Sequence, residues 1–268
     1  MDLSIVIINY NTYELTCACI ESVYKYTHGI TFEIILVDNN SEYFDIVEFK
    51  DLFPQVKVIQ NDQNHGFAKG NNLGIFHSTG RFILLLNSDI VIKDDAIFKS
   101  FHYLKERPSI GALSIKLFFP DGRIQSVAQR FPSLKYKLIE LFRIQKLLSK
   151  RTAGRILLGA FFNHDETVNV DWIWGAYFMF RREILDKLPQ NKLDETYFMY
   201  CEDMKWCMDI CKLGYLIRYY VDAEAIHLMG GSNANKQHLI SENERHFIEK
   251  NYSRLESFFI FKIRAILS

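Results

Sequence analysis

Through its first half the chain alternates between two hydrophobic rhythms. Short apolar runs with no helical period, bounded by polar or turn-forming residues, predict buried strands over residues 3–8, 32–37, 56–59 and 81–86. Between them, residues 12–26, 43–52 and 66–78 mix apolar and polar positions in a way that predicts helices. Ile90-Val91-Ile92, a helix over 94–106 stopped by Pro108, and a strand over 110–118 continue the series. Strands separated by helices of this length predict right-handed βαβ units, and hence an α/β chain with a parallel sheet covered on both faces.

The pattern then changes. Over residues 131–162, Leu134, Leu138, Leu141, Leu147 and Leu148 are spaced among Lys135, Lys137, Arg143, Lys146, Lys150, Arg151 and Arg155, a basic amphipathic segment. Such a segment suits an anionic membrane or a lipid-linked substrate, and equally a helix packed on its own domain with a solvated basic face. Residues 170–228 return to strand and helix patterns, with a helix running from Glu202-Asp203 to Gly214 and another expected to start at Arg181-Arg182 on the solvated surface. The C-terminal stretch Phe258-Phe259-Ile260-Phe261, with Lys262 and Arg264, is apolar enough to dock on a partner or membrane.

Composition narrows the classes. With 49% hydrophobic residues in 268, the chain has material for a substantial core. Thirty-two basic residues balance 32 acidic ones, so no global field steers it to nucleic acid. Asp2 stands where a signal peptide needs positive charge, and no apolar run reaches the length of a membrane span, so a cytoplasmic protein is expected. Cys17, Cys19, Cys201, Cys207 and Cys211 form an odd set without CxxC spacing, which points to reduced core residues.

The chemistry gathers at strand ends. Asn9-Tyr10-Asn11, Asp38-Asn39-Asn40-Ser41, Gly66-Phe67-Ala68-Lys69-Gly70-Asn71-Asn72 and Asn87-Ser88-Asp89 each follow or face the end of a predicted strand, and parallel strands place all four on one sheet edge. Amides and carboxylates there suit a base and ribose, a glycine-rich helix start suits phosphates, and Asp89 is sited to hold a hard cation against them. Neither GxGxxG nor GxxxxGK[ST] follows the first strand, which removes two common nucleotide-binding motifs.

In these segments, and in Trp174-Gly175-Ala176, Tyr200-Cys201-Glu202-Asp203 and His227-Leu228-Met229-Gly230-Gly231-Ser232, the chain resembles glycosyltransferase family 2, close to its bacterial rhamnosyltransferase-like members. The resemblance implies a GT-A fold, a Rossmann-like, mostly parallel sheet flanked by helices. It implies a catalytic domain over 1–232, with a nucleotide-sugar half (1–118), a variable segment facing acceptor or membrane (131–168) and a catalytic half (169–232), followed by a helical tail (233–268).

It further implies an inverting transfer of a sugar from a dTDP- or UDP-linked donor, with rhamnose favoured, to a glycan or lipid-linked acceptor, while the basic segment and apolar tail leave peripheral membrane contact open. Asn9, Tyr10, Asn11, Asp38, Asn40, Gly66, Phe67, Ala68, Asn71, Asn87 and Ser88 would meet the donor, and Trp174, Gly175 and Glu202 the sugar or acceptor. Asp203 would be the catalytic base, oriented by Glu202. Asn87-Ser88-Asp89 falls on the family's DxD metal motif with an amide in place of the first acid. Asp89, His227 and Asn87 would therefore hold Mn²⁺ or Mg²⁺, and Gly230-Gly231-Ser232 would close over the donor. A sugar nucleotidyltransferase would open with a basic glycine-rich loop where this chain has Asn9-Tyr10-Asn11, and a non-catalytic binding module would not need Asp203.

Overall fold

The computed structural model describes residues 1–42, 46–229 and 236–267. Its first half runs β1 (Leu3–Asn9), α1 (Tyr13–Tyr26), β2 (Phe32–Asp38), α2 (Val47–Leu52), β3 (Lys57–Gln60), α3 (Gly66–Phe76), β4 (Phe82–Asn87), β5 (Ile90–Ile92), α4 (Ala96–Lys105) and β6 (Ile110–Phe118). These match the expected elements within a few residues. The second half continues with β7 (Ala128–Gln129), α5 (Leu134–Leu141), α6 (Lys150–Leu157), β8 (Val168–Val170), β9 (Trp172–Ile173), β10 (Tyr177–Arg181), α7 (Glu202–Lys212), β11 (Leu216–His227), α8 (Lys236–Asn251) and α9 (Arg254–Leu267).

Nine strands form the main sheet in the order β3-β2-β1-β4-β10-β6-β11-β5, with β8 also paired to β11. Pairing is parallel across β3, β2, β1 and β4, and again between β6 and β11. Strand β10 runs antiparallel between β4 and β6, joining the two parallel blocks, and β5 and β8 are antiparallel to β11. The mostly parallel sheet is thus present, with an antiparallel insertion that βαβ spacing does not foretell. Central strands β1, β4 and β10 are almost wholly buried, which is why they read as continuous apolar runs.

Arg181 and Arg182 correct an expectation. Phe178-Met179-Phe180 is the middle of β10, Arg181 is its last residue, and a 3₁₀ turn starts at Arg182. Arg181 is buried and donates to the carbonyls of Ile110 (2.9 Å), Leu104 and Arg107 (3.0 Å), with its guanidinium 5.3 Å from the Phe82 ring centroid. Arg182 donates to Gly80 O and to Ser78 Oγ (2.5 Å). Both side chains stitch the end of β10 to the chain around it; neither is a solvated surface residue.

The basic segment is not one helix. Arg143 takes a left-handed conformation (φ 52°), Leu148 is extended, and Ser149 caps α6 by accepting the Thr152 amide at 3.2 Å, so α5, a 3₁₀ turn (Ile144–Leu147) and α6 are separate pieces. Cys19, Cys201 and Cys207 are buried and all five cysteines are free thiols. Among the described residues no helix is long and apolar enough to cross a membrane.

Replacing Arg181 by Met should lower unfolding free energy in urea by about 3 kcal/mol, because two buried carbonyls and a part-buried one lose a charged donor. The exposed Arg123→Ala substitution, which removes a surface pair with Asp121 at 2.7 Å and an exposed contact with the Phe119 ring, should change it by less than about 1 kcal/mol.

Candidate active site

At the carboxyl ends of β1, β2 and β4 the polar clusters separate into a brace and a wall. Asn9 is fully buried: its amide donates to Asp38 Oδ1 (2.6 Å) and Ser41 Oγ (3.0 Å), and its oxygen accepts from Thr12 (3.0 Å) and Thr16 (2.7 Å). Asp38 also accepts from the Ser41 hydroxyl (2.5 Å) and amide (2.9 Å). The Asn11 amide donates to Ser41 Oγ, and Asn71 turns back to the Phe67 carbonyl, each at 2.9 Å. Buried polar groups satisfy one another, and these spend their capacity internally. Asn9, Asn11, Asp38 and Asn71, expected on the donor, do not line the cleft that opens above them, and neither do exposed Asn40 and buried Ala68.

That cleft, about 760 Å³, is lined on one side by Tyr10, Gly66, Phe67, Asn87, Ser88 and Asp89, and on the other by Trp174, Gly175, Glu202, Asp203 and His227. Residues predicted from two distant parts of the sequence thus meet. Gly66 begins α3 at φ +81°, and a Cβ there would strike the Phe198 carbonyl. That carbonyl accepts the Phe67 amide at 2.9 Å, while the Gly66 amide donates to Asn64 Oδ1 at 2.9 Å. Two amides expected to face phosphate are therefore already engaged. The Phe67 ring stacks on buried Trp206 with centroids 6.0 Å apart.

Asp89 and His227 face each other across the β5–β11 pairing, with Nε2 3.3 Å from Oδ1. Behind the imidazole lies Gln125, also buried. Its amide nitrogen donates to the His227 carbonyl at 3.2 Å, which leaves Gln125 Oε1 as acceptor for His227 Nδ1 at 2.7 Å. The network thereby assigns the proton to Nδ1 and, in the neutral ring, turns the Nε2 lone pair toward the Asp89 carboxylate.

Asn87 Oδ1 is buried with no hydrogen-bond partner among the described residues. A carboxylate, an imidazole lone pair and an orphaned amide oxygen form an acceptor set that suits Mn²⁺ or Mg²⁺. The described residues contain no group of three or more His, Cys, Asp or Glu side chains placed to hold a metal, so the amide would have to serve as a ligand. Gly230-Gly231-Ser232 lies outside the described residues.

The acid pair opens α7 behind a strained turn. Tyr200 (φ 68°) and Cys201 (φ 72°) are consecutive left-handed residues, neither of them glycine, a conformation that costs on the order of 1–3 kcal/mol each. Asn243 of α8 supports the turn by donating to the carbonyls of Met199 (2.9 Å) and Tyr200 (3.2 Å). Asp203 accepts the Gly175 amide (3.0 Å) and the Met204 amide (2.8 Å). Burial nevertheless raises its pKa to about 6. Glu202 is buried, its Oε2 lacks a partner, and burial with the neighbouring Asp203 charge pushes it well above the carboxylate range. Burial thus favours the neutral form of both acids, and more strongly for Glu202 than for Asp203.

Sequence reasoning missed Gln125 and Asn243. Gln125 holds both the imidazole and the carbonyl of His227, and Asn243 holds two carbonyls of a distant turn, and no local pattern marks either role.

Comparison with known proteins gives the family and the fold. Residues 4–189 match the family model described as Glycosyl transferase family 2, and the chain belongs to that family. It is 25% identical over 213 residues to "Rhamnosyltransferase WbbL" of Escherichia coli (strain K12), covering 73% of this chain and 77% of that protein. It is 32% identical over 114 residues to "Uncharacterized protein y4gI" of Sinorhizobium fredii, where the match covers 40% of this chain and only 12% of that longer protein. Its fold is similar to that of TarS (residues 1–349) from S. aureus, with a TM-score of 0.58 at 18% identity, covering 98% of this chain and 69% of TarS. The GT-A-like architecture is thereby shown.

Gly66→Ala should destabilise the protein in urea by about 2 kcal/mol or more, since it combines a left-handed φ with a backbone collision. Gly122→Ala, at φ +84° but with nothing within 4 Å, should cost only about 1 kcal/mol, so the difference measures the collision.

Proposed function

We propose that the cleft transfers a sugar from a nucleotide-sugar donor to an acceptor hydroxyl, with inversion, in the assembly of a bacterial surface glycan. The observation that carries this reading is a buried carboxylate, Asp203, with a pKa raised to about 6, sharing one cleft with the Asp89–His227 pair. A base of that strength is ionised at neutral pH yet still able to accept a proton.

In the proposed step Asp203 takes the proton of the acceptor hydroxyl. The oxygen forms its bond to the anomeric carbon as the bond to the nucleoside diphosphate breaks on the opposite side, and the diphosphate departs with the electron pair. Protonated Glu202 donates a hydrogen bond to the acceptor, and Gly175 holds Asp203 through its amide. The half-buried Trp174 offers an aromatic face to the C–H side of the sugar. Asp89 and His227, with the Asn87 amide oxygen, would hold Mn²⁺ or Mg²⁺, which when bound neutralises charge on the leaving diphosphate.

Similarity to the E. coli rhamnosyltransferase supports rhamnose as the transferred sugar, and a dTDP-linked donor is the reading tested first. UDP-linked sugars are the competing donors, and the acceptor is a glycan or lipid-linked glycan on the cytoplasmic side of the membrane. A panel of nucleotide sugars, assayed for donor hydrolysis and transfer with Mn²⁺ or Mg²⁺, tests the reading directly: no turnover of any donor would overturn it.

The wild-type kcat/KM should rise with pH through about 6, because only the deprotonated Asp203 is a base. Asp203→Asn should lower kcat by about 10²–10⁴ and remove that limb. Glu202→Gln, which mimics the protonated acid, should retain it. Gln125→Ala should weaken Mn²⁺ binding by about 10–100-fold in a direct titration of the protein, since the imidazole loses the partner that orients it.

A further inference from the structure

Between Leu141 and His164 the chain carries no acidic residue, while Arg143, Lys146, Lys150, Arg151 and Arg155 all fall inside that span. The whole chain is electrically neutral, so this is a local excess. Arg151 and Arg155 are drawn to Glu166 (2.8 and 3.5 Å), but Arg143, Lys146 and Lys150 have no acidic partner among the described residues. Interleaved with them are apolar side chains left in the open: Phe142 is 68% exposed and Leu147 is 85% exposed. Such a segment has not buried its apolar residues in its own domain.

The helix beside it repeats the pattern. Helix α9 packs against α5 and buries Ser257, Ile260 and Ile263. On its opposite face Leu255, Phe258, Phe259, Lys262 and Ile266 follow one another at helical spacing and are all exposed, Leu255 and Ile266 by more than two thirds. The ammonium of Lys262 lies 5.7 Å from the Phe258 ring centroid, a cation at the rim of an apolar stripe. The basic segment also reaches the cleft, where Tyr136 and Glu140 of α5, Leu157 of α6 and Phe161 form one wall.

We propose that residues 142–151 and the outward face of α9 form a peripheral docking surface for an anionic lipid bilayer, placed so that a lipid-borne acceptor is presented at the mouth of the cleft. The final clause rests on the transferase reading; the docking itself does not. Charge selects the occupant. Exposed Phe, Leu and Ile side chains enter the headgroup boundary while Lys and Arg reach the phosphates, which is how amphipathic surfaces hold to anionic membranes. A second copy of the chain pairing through this face by two-fold symmetry would set the unpaired cations against themselves.

The test uses the full chain sedimented with phosphatidylcholine vesicles made with and without phosphatidylglycerol, at low and at high salt. Binding should require phosphatidylglycerol and fall with salt. Lys146→Glu with Lys150→Glu should reduce partitioning by at least about tenfold, and so should Phe142→Ser with Leu147→Ser, or Phe258→Ser with Phe259→Ser. Every altered side chain is exposed, so thermal midpoints and hydrolysis of a soluble nucleotide sugar should match wild type, which separates failure of docking from failure of the transferase reading.

As an independent measurement, Phe142→Trp should gain emission that brominated lipid quenches. The proposal is overturned if the wild-type chain ignores phosphatidylglycerol vesicles at low salt, if all three double variants bind as wild type does, or if the face instead mediates a dimer that Phe142→Ser with Leu147→Ser dissociates.

Discussion

Antiparallel insertion of β10 between β4 and β6 determines where the parts of the cleft lie. Tyr177 pairs with Leu86, and just beyond, the Asn87 amide donates to the Ala176 carbonyl at 3.0 Å. The end of β4, which carries Asn87-Ser88-Asp89, is thereby locked beside Trp174-Gly175-Ala176, which leads into β10. Gly175 in turn holds Asp203 through its amide. A shift of one residue in this pairing would turn the alternate side chains of β10 to the wrong face and break that main-chain link. Arg181 fixes the other end of the same strand to carbonyls at the end of α4 and the start of β6.

With positions set by the backbone, electrostatics divides the labour among the side chains. Asp38 sits deep in the fold yet is met by three hydrogen bonds from Asn9 and Ser41, and it acts as a brace. Asp203 receives two amides in a buried setting, while among the described residues Glu202 Oε2 has none, so burial raises Glu202 the further of the two. The number of donors aimed at each carboxylate, more than its depth, separates the braced acid from the pair in the cleft.

The parallel half of the sheet was legible because β1, β2 and β4 are short apolar runs buried on both faces and ended by polar residues. The sequence could also say that Gly66, Asp89, Asp203 and His227 belong to one site, through the order of the family's motifs. It could not say which strand-end residues face the cleft. Asn9 and Tyr10 are neighbours of the same polar class, and only the packing of Thr12, Thr16, Asp38 and Ser41 turns Asn9 inward while Tyr10 is left on the wall. Nor could it place Arg181, because a strand of four apolar residues and one arginine looks like a strand followed by a helix start until the carbonyls of α4 appear beside it. Gln125 and Asn243 were hidden for a related reason: their partners are main-chain groups 102 and more than 40 residues away.

The brace that Asn243 supplies has a consequence for the order in which the protein is made. Synthesis proceeds from the N-terminus, and when β11 is complete every strand of the sheet exists and both acids of α7 have been translated. The left-handed turn at Tyr200 and Cys201 is then still without its support, because α8 comes later. The turn that opens α7 thus depends on a helix that follows every strand of the main sheet in sequence.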